Sequence, residues 1–361
     1  MKLKTFAILL ITFCILLAVV LLTTRTKKTA EDQADMGAKL FAGLAAGNIA
    51  AITITSPEAT AKLKQTPNGW IVENRFGYPA DFSKVAELVK KLSDAKIGRT
   101  FPASAEIQAR QSLYPPEQQE LPADQKGTRI VLADKDAKTL ADLIIGKERE
   151  NGGDTFYVMP LPQSRICLID QNFRFLEKKP ADWLNKKPLD LNPKKVQKVV
   201  LFDPKKNRAI YTLQRPAEDK DPVLLDLAPD KKMAKFKADQ LFEALTSLTV
   251  EDVADPGQKD AARFSGAPRF DYTLYDGTVY HVFPGAALKE DAEKHYFRTE
   301  VSYQPPPGKA DPAQKESQAK LKEEAEKLNL KISPLTYVIS KWVYDSFFTD
   351  PKNLIEKEAK K

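Results

Sequence analysis

Histidine and cysteine are nearly missing from this chain, with two of each in 361 residues. A zinc or iron centre is built mostly from those two residue types, several at a time. Neither His281 nor His295 has a cysteine close by or a second histidine at helical spacing, so no metal-binding residues are expected. Glycine is scarce as well, at 15 residues. Phosphate loops, dinucleotide-binding turns and the G-x-S-x-G elbow need glycine at set positions, and none of these patterns occurs. Gly152-Gly153 reads as a loop turn and not as a phosphate cradle. Carboxylates do come in close pairs, Asp134 with Asp136 and Asp219 with Asp221. Each pair lies beside lysines in a predicted turn, where aspartates accept backbone hydrogen bonds. The expectation is no catalytic residue, no cofactor and no metal, in a protein that is not an enzyme.

Charge of one sign is also missing. The 56 Lys and Arg residues are offset by 49 Asp and Glu, leaving a net charge of +7. Acids and bases are interspersed, as in Lys315, Glu316, Lys320, Lys322, Glu323 and Glu324. A nucleic-acid surface gathers one sign and interleaves aromatics, so no nucleic-acid partner is expected. The hydrophobic fraction of 42% and charged fraction of 29% are those of a folded chain, long enough for two domains. Cys14 lies in an apolar run and Cys167 in a strand-like segment. A membrane-buried thiol cannot reach one in a soluble domain, so no intrachain disulfide is expected and Cys167 reads as a small core hydrophobe.

What the chain does have is one long apolar run. Residues 5–22, TFAILLITFCILLAVVLL, carry no charge. At 1.5 Å per residue such a helix covers about 27 Å, close to the hydrocarbon thickness of a bilayer. A cleaved signal peptide has a shorter apolar core and small residues before the cut, and Leu21-Leu22-Thr23-Thr24 offers none. A lipoprotein signal needs a small residue before its cysteine, whereas Phe13 precedes Cys14. The reading is an uncleaved, single-pass anchor in the inner (cytoplasmic) membrane. Residues 1–28 form the cytoplasmic tail and transmembrane helix, and 29–46 a polar spacer. Basic residues flank both ends of the run, so charge gives no vote on orientation. The arrangement adopted is the common one for a short tail, with the bulk of the chain on the non-cytoplasmic side.

Past the spacer the chain repeats itself. Ile52-Thr53-Ile54, followed by Ser56-Pro57, resembles Val199-Val200-Leu201, followed by Asp203-Pro204, with Val199 147 residues after Ile52. Second strands follow over 61–66 and 209–214, and third strands over 70–73 and 223–226. Amphipathic helices come next. One carries Val85, Leu88, Val89 and Leu92, and the other Leu241, Phe242, Leu245 and Leu248, both at helical spacing; this pairs Leu92 with Leu248. Hairpin strands 129–132 and 155–158 match 269–272 and 295–298 at an offset of 140. Strand 166–169 matches 336–339, and Pro180 and Trp183-Leu184 match Pro351 and Leu354-Ile355. The fold class expected is α+β, an N-terminal transmembrane helix followed by two repeated β-rich units, each with antiparallel strands and an amphipathic helix. Unit boundaries fall at 47–190 and 191–361.

The offsets locate two insertions. About sixteen extra residues lie in the first copy between Phe101 and Lys126, including Leu113-Tyr114-Pro115-Pro116. About thirty lie in the second copy, over 304–331, where PPPGKADP leads into a Lys/Glu-rich helix with Leu321, Ala325 and Leu328 on one side. Asp276-Gly277 between alternating runs predicts a two-residue hairpin turn. That turn sets Leu274 opposite Val279, Tyr272 opposite His281 and Phe270 opposite Phe283. Trp70, Trp183 and Trp342 all read as core packing, and the aromatic stretch 342–348 is the best candidate for a sticky patch.

Several of these segments together resemble the bacterial proteins grouped as domain of unknown function 4340. The resemblance rests on the anchor, Ile52-Thr53-Ile54, Trp70 in a strand, and Pro79-Ala80-Asp81 before the helix ending Val89-Lys90-Lys91-Leu92. It continues in Leu113-Tyr114-Pro115-Pro116, Leu143-Ile144-Ile145-Gly146, Phe156-Tyr157-Val158 and Asp182-Trp183-Leu184. It covers most of the chain past the anchor and is clearer in the first copy. The second copy lacks the Tyr-Pro-Pro segment, and Phe283-Pro284-Gly285 matches only loosely. The resemblance implies an accessory envelope role beside ABC-type transport components, including gliding-motility-like auxiliary proteins, and names no site residues. The function expected is therefore a non-enzymatic envelope accessory protein that partners an ABC-type permease or auxiliary membrane protein through its exported domains. The alternatives are an envelope polysaccharide- or polymer-binding module and, behind it, a hydrolase.

Overall fold

The computed structural model describes residues 35–150, 152–162, 165–256, 262–307 and 312–356. The anchor expected over 1–28 and the start of the spacer lie outside the described residues. Among the described residues, no helix is long and apolar enough to cross a membrane. The fold is mixed α+β, with two antiparallel sheets and few helices. Among the described residues, those up to Asn68 together with Phe82–Lys179 form one compact unit. Gly69–Asp81 and the described residues from Pro180 onward form the second.

The first unit opens with β1 (Ala51–Thr55) and β2 (Thr60–Thr66). β3 (Gly69–Val72) and β4 (Tyr78–Pro79) pair with each other and belong to the second unit. The chain then returns through α1 (Phe82–Asp94), β5 (Ile97–Pro102), α2 (Ala105–Arg110), β6 (Thr128–Ala133), β7 (Thr139–Glu148), β8 (Phe156–Pro160) and β9 (Arg165–Ile169). Among the strands of this unit the sheet order runs β2-β1-β6-β7-β8-β9-β5. Alternation gives β1 and β6 one buried face. Ile52 and Ile54 of β1 and Ile130 and Leu132 of β6 are all fully buried, while the residues between them are not. Successive strand side chains point to opposite faces, so one apolar face is closed by α1, which buries Val85, Leu88, Val89 and Leu92.

The second unit repeats this order. Its elements are β10 (Val196–Asp203), β11 (Arg208–Gln214), β12 (Val223–Leu224), α3 (Lys235–Ala244), β13 (Asp252–Val253), β14 (Arg269–Leu274), β15 (Thr278–Ala287), β16 (Lys294–Tyr303), α4 (Pro312–Ile332), β17 (Tyr337–Ser340) and α5 (Lys341–Ser346). The sheet runs β12-β11-β10-β14-β15-β16-β17-β13. Small irregularities recur along with the strands. Ala80 bridges Leu184 and Met233 bridges Ile355. Asp81 N donates to Trp183 O, and Ala234 N to Leu354 O. These bridges pair Leu92 with Leu245, not with Leu248. A helix face repeats every turn, so a slip of three residues preserves the apolar pattern and only the flanking bridges reveal it.

Two glycines recur for one physical reason. β7 and β15 each carry a ladder irregularity, between Ile145 and Glu148 and between Pro284 and Ala287. Gly146 and Gly285 sit in these bulges, where a crossing segment presses onto the strand. A Cβ at Gly146 would run into Gln111 O and the Leu113 side chain; one at Gly285 would come within 2.8 Å of Ala262 O and the Phe264 ring.

The hairpin register differs from expectation by one residue. Phe270 pairs with Val282, Asp271 with His281, Tyr272 with Tyr280 and Thr273 with Val279. The turn over 274–277 is closed by Gly277 N on Leu274 O at 3.1 Å, and Gly277 has φ +95°. Gly277 supplies the positive φ after the turn, as in a turn-plus-bulge loop, and not within a two-residue turn. A shift of one residue changes which side chains meet across the strands.

The insertion of the second copy has a definite task. β17 pairs with β16 only from Lys294 to Phe297. α4 packs against β16, and Asn329 Oδ1 accepts from Val301 N at 2.8 Å. Ala325 and Ile332 are buried, and Leu321 and Leu328 are half-buried beside them. The helix therefore covers a sheet edge whose N–H groups would otherwise be open. Trp183 is buried as expected, but Trp342 is 76% exposed. α5 turns Val343, and Phe347 just past its end, toward the core, so the adjacent Trp342 is carried outward.

Candidate functional site

The face of the second sheet opposite its apolar core holds a line of polar side chains. Phe270, Tyr272 and Leu274 of β14 are buried, so Arg269, Asp271 and Thr273 point the other way. On β15 the same face carries His281 and Phe283, and on β16 it carries Arg298, Glu300 and Ser302. The one-residue register shift places Asp271 directly opposite His281. His281 Nδ1 lies 2.6 Å from Asp271 Oδ1, and its Nε2 lies 2.9 Å from Ser302 Oγ. Arg269 Nε donates to Asp271 at 3.0 Å while its guanidinium lies over the Phe202 ring, 4.6 Å from the centroid. Arg298 pairs with Glu300 at 3.1 Å and lies over the rings of Phe283 and Phe264.

The ladder is sheltered but reachable: the Asp271 and His281 side chains are 17% and 19% exposed. Burial works to raise the Asp271 carboxyl, but hydrogen bonds from His281 and Arg269 outweigh it and hold the group below the ordinary carboxylate value. Asp271 is thus ionised at neutral pH. A carboxylate on Nδ1 keeps that nitrogen's proton in place and leaves Nε2 of the neutral ring as the acceptor for the Ser302 hydroxyl.

The first unit shows what these positions do without the histidine. Arg129 takes the place of Arg269. Asp142, opposite Val131 in the ladder, takes the place of His281 opposite Asp271. Arg129 holds Asp142 through both carboxylate oxygens, at 3.0 and 2.7 Å, and that hydrogen bond pushes the guanidinium pKa up against an opposing effect of burial. Farther along, Ile144 pairs with Met159 where Phe283 pairs with Arg298. Leu113 from the crossing segment seals this face with Ile144, Met159 and Ile166, all buried. The Leu113-Tyr114-Pro115-Pro116 motif is therefore a lid on an apolar face, and Gly127 and Gly146 are the places where it touches down.

Other singled-out residues settle into structural roles. Asp134 Oδ1 accepts from the backbone N–H of Asp136 and Lys138, as a turn aspartate does. Asp219 and Asp221 pair with Lys220 and Lys235. His295 does not approach His281's ladder; its ring stacks on Tyr344 at 3.8 Å. Cys167 is a buried free thiol whose pKa burial pushes up to about 11. Among the described residues, no group of three or more His, Cys, Asp or Glu could hold a metal ion.

Residues 70–265 match the family described as Domain of unknown function (DUF4340). The chain belongs to that family. No curated protein and no solved structure matches it. The DUF4340 match takes in the Arg129–Asp142 pair and the sealed face of the first unit. It stops short of β14, so the Asp271–His281–Ser302 ladder lies outside the matched residues. Asp271, His281 and Ser302 were missed as a set in the sequence because their spacing follows no motif and depends on the hairpin register.

Proposed function

We propose that this chain is a membrane-anchored accessory protein of the cell envelope. In this reading residues 1–28 hold it in the inner membrane, and its two sheets are copies of one module on the non-cytoplasmic side. The protein acts by binding, not by turnover, and its partner is an ABC-type permease or an auxiliary protein of such a complex. The observation that supports a binding role is the contrast between the two sheet faces. In the first unit the face is apolar and closed by Leu113. In the second unit the same face carries ion pairs and aromatics and remains half-exposed. Paired charges beside aromatic rings suit recognition of a protein surface, where orientation and register matter more than bulk apolar area.

Cross-linking in intact membranes, followed by purification of the full chain in detergent, tests the partnership. Permease or auxiliary subunits should be linked to the second unit and lost in the Arg269→Glu, Arg298→Glu double variant. Recovery of an envelope polysaccharide without such subunits would instead favour a polymer-binding module. The anchor is tested separately: the mature protein should retain residues 1–2 and require detergent for extraction. A soluble protein beginning near residue 23 would reject it.

A further inference from the structure

We propose that Ser302 is a reactive hydroxyl at which the protein takes up an acyl group from an activated ester, with His281 as the base and Asp271 as a positioning residue. This goes beyond the accessory role, since it assigns a covalent modification site and requires no turnover.

Three observations carry it. The first is geometry: the carboxylate, imidazole and hydroxyl stand in line across three adjacent strands, at 2.6 and 2.9 Å. That order gives the ring one tautomer and aims its basic nitrogen at the hydroxyl. The second is the positioning residue's own support. Arg269 donates to Asp271 and is itself seated on Phe202, so the carboxylate is held from two sides. The third is the comparison between units. Asp271 and His281 stand where the first unit has Val131 and Asp142. Ser302 lies in the part of β16 beyond the reach of β17, opposite Val279 and on the strand that α4 covers. β8 ends at Pro160, short of the matching position. Among the described residues the line stands in the second unit alone, where the longer strand carries Ser302.

The chemical step balances with groups already present. Ser302 Oγ attacks the ester carbonyl carbon as its proton passes to His281 Nε2. The bond from the carbonyl carbon to the alcohol oxygen then breaks, and the alcohol leaves with that proton. The products are an ester on Ser302, the free alcohol and a neutral imidazole.

The test uses the full chain in detergent and a biotinylated fluorophosphonate. This reagent forms an Oγ–P bond and releases fluoride with the hydroxyl proton. One adduct per chain is expected, on the peptide that holds Ser302, and none in Ser302→Ala. His281→Gln should slow labelling by about 100-fold or more, the usual range for loss of a general base. Asp271→Asn should move the pH profile of labelling, which a merely structural aspartate would leave in place. p-Nitrophenyl acetate should leave an acetyl group on the same residue. Ser302→Cys guards against loss of labelling through misfolding: its alkylation by iodoacetamide should slow when His281 is also changed to Gln. The proposal is overturned if the folded native chain takes no adduct while a serine hydrolase in the same buffer does. An adduct that persists in Ser302→Ala, or cysteine alkylation indifferent to His281, overturns it equally.

Discussion

The two sheets share a strand order, a bulge with its glycine and a crossing segment, yet they differ on the face that the crossing segment meets. In the first unit that face is finished as core: Leu113 drops onto Ile144, Met159 and Ile166, and Arg129 is held by Asp142 on the neighbouring strand. In the second, Phe283 and Arg298 replace the Ile144–Met159 pair, and Phe264 reaches the edge of Arg298. The lesson is one of division of labour. Two sheets of like strand order can differ on one face, one packed with apolar contacts and the other carrying charge, because the core on the opposite face of each sheet is closed by its own helix. Burial of Ile52, Ile54 and Leu92 in one unit and of Val199, Phe270 and Leu245 in the other does not depend on the outer face.

The contrast can be broken most forcefully at Leu113. Leu113→Ala should lower stability by about 3 to 5 kcal/mol, as for a fully buried leucine in a site that cannot collapse. Phe264→Ala, at a half-buried position, should cost clearly less, and equal shifts in urea midpoint would show that the second face is sealed too. Gly146→Ala and Gly285→Ala test what the units share. Each places a methyl group against backbone carbonyl, and each should cost about 2 to 3 kcal/mol through overpacking; a large effect at one site alone would mean the bulges are not equivalent.

A rescue experiment sharpens the comparison further. Asp142→Ala strips Arg129 of its bidentate partner and should cost about 2 kcal/mol, the scale of a hydrogen bond to a charged group. Adding Val131→Asp, which copies the arrangement of the second unit, should return at least half of that by calorimetry. No recovery would mean that the two arginine sites are built differently.

The smallest effect expected is a pH dependence that belongs to one unit. The Asp271 carboxyl is held below its unfolded value of about 3.9. Its contribution to stability is therefore fully present above about pH 4 and is lost as pH falls through the lower, folded value. Asp271→Asn should flatten the acid limb of the unfolding curve. An unchanged acid limb would show that the His281 and Arg269 bonds do not stabilise the ionised form.

Much of this fold is legible in the chain because alternation and helical spacing survive divergence. The opening strands, the match of Pro180 with Pro351, and the amphipathic side of α4 can all be read before any coordinates. The candidate site is not, and the reason is local. Asp-Gly serves both a two-residue turn and a longer turn with a bulge, and the choice decides whether His281 faces Tyr272 or Asp271. Arg75 finds Asp252, and Tyr78 packs edge-on against Tyr337, through tertiary contacts that no short pattern announces. Trp342 misleads because a six-residue helix has only one buried face, and its neighbour Val343 occupies it.

The hairpin of β3 and β4 carries one more consequence, for how the protein is made. It leaves the ribosome early, yet Arg75 waits for a carboxylate 177 residues later in the chain. At typical rates of elongation that is roughly 9 to 35 seconds. For that interval the first copy can close its sheet from β2 through β5, while the hairpin has no second unit to join. Until then the Arg75 guanidinium and the Tyr78 ring lack the Asp252 carboxylate and the Tyr337 ring that they meet in the finished second unit. Synthesis on a membrane-bound ribosome, or escort by a chaperone, would shield those two side chains until residues beyond Pro180 arrive.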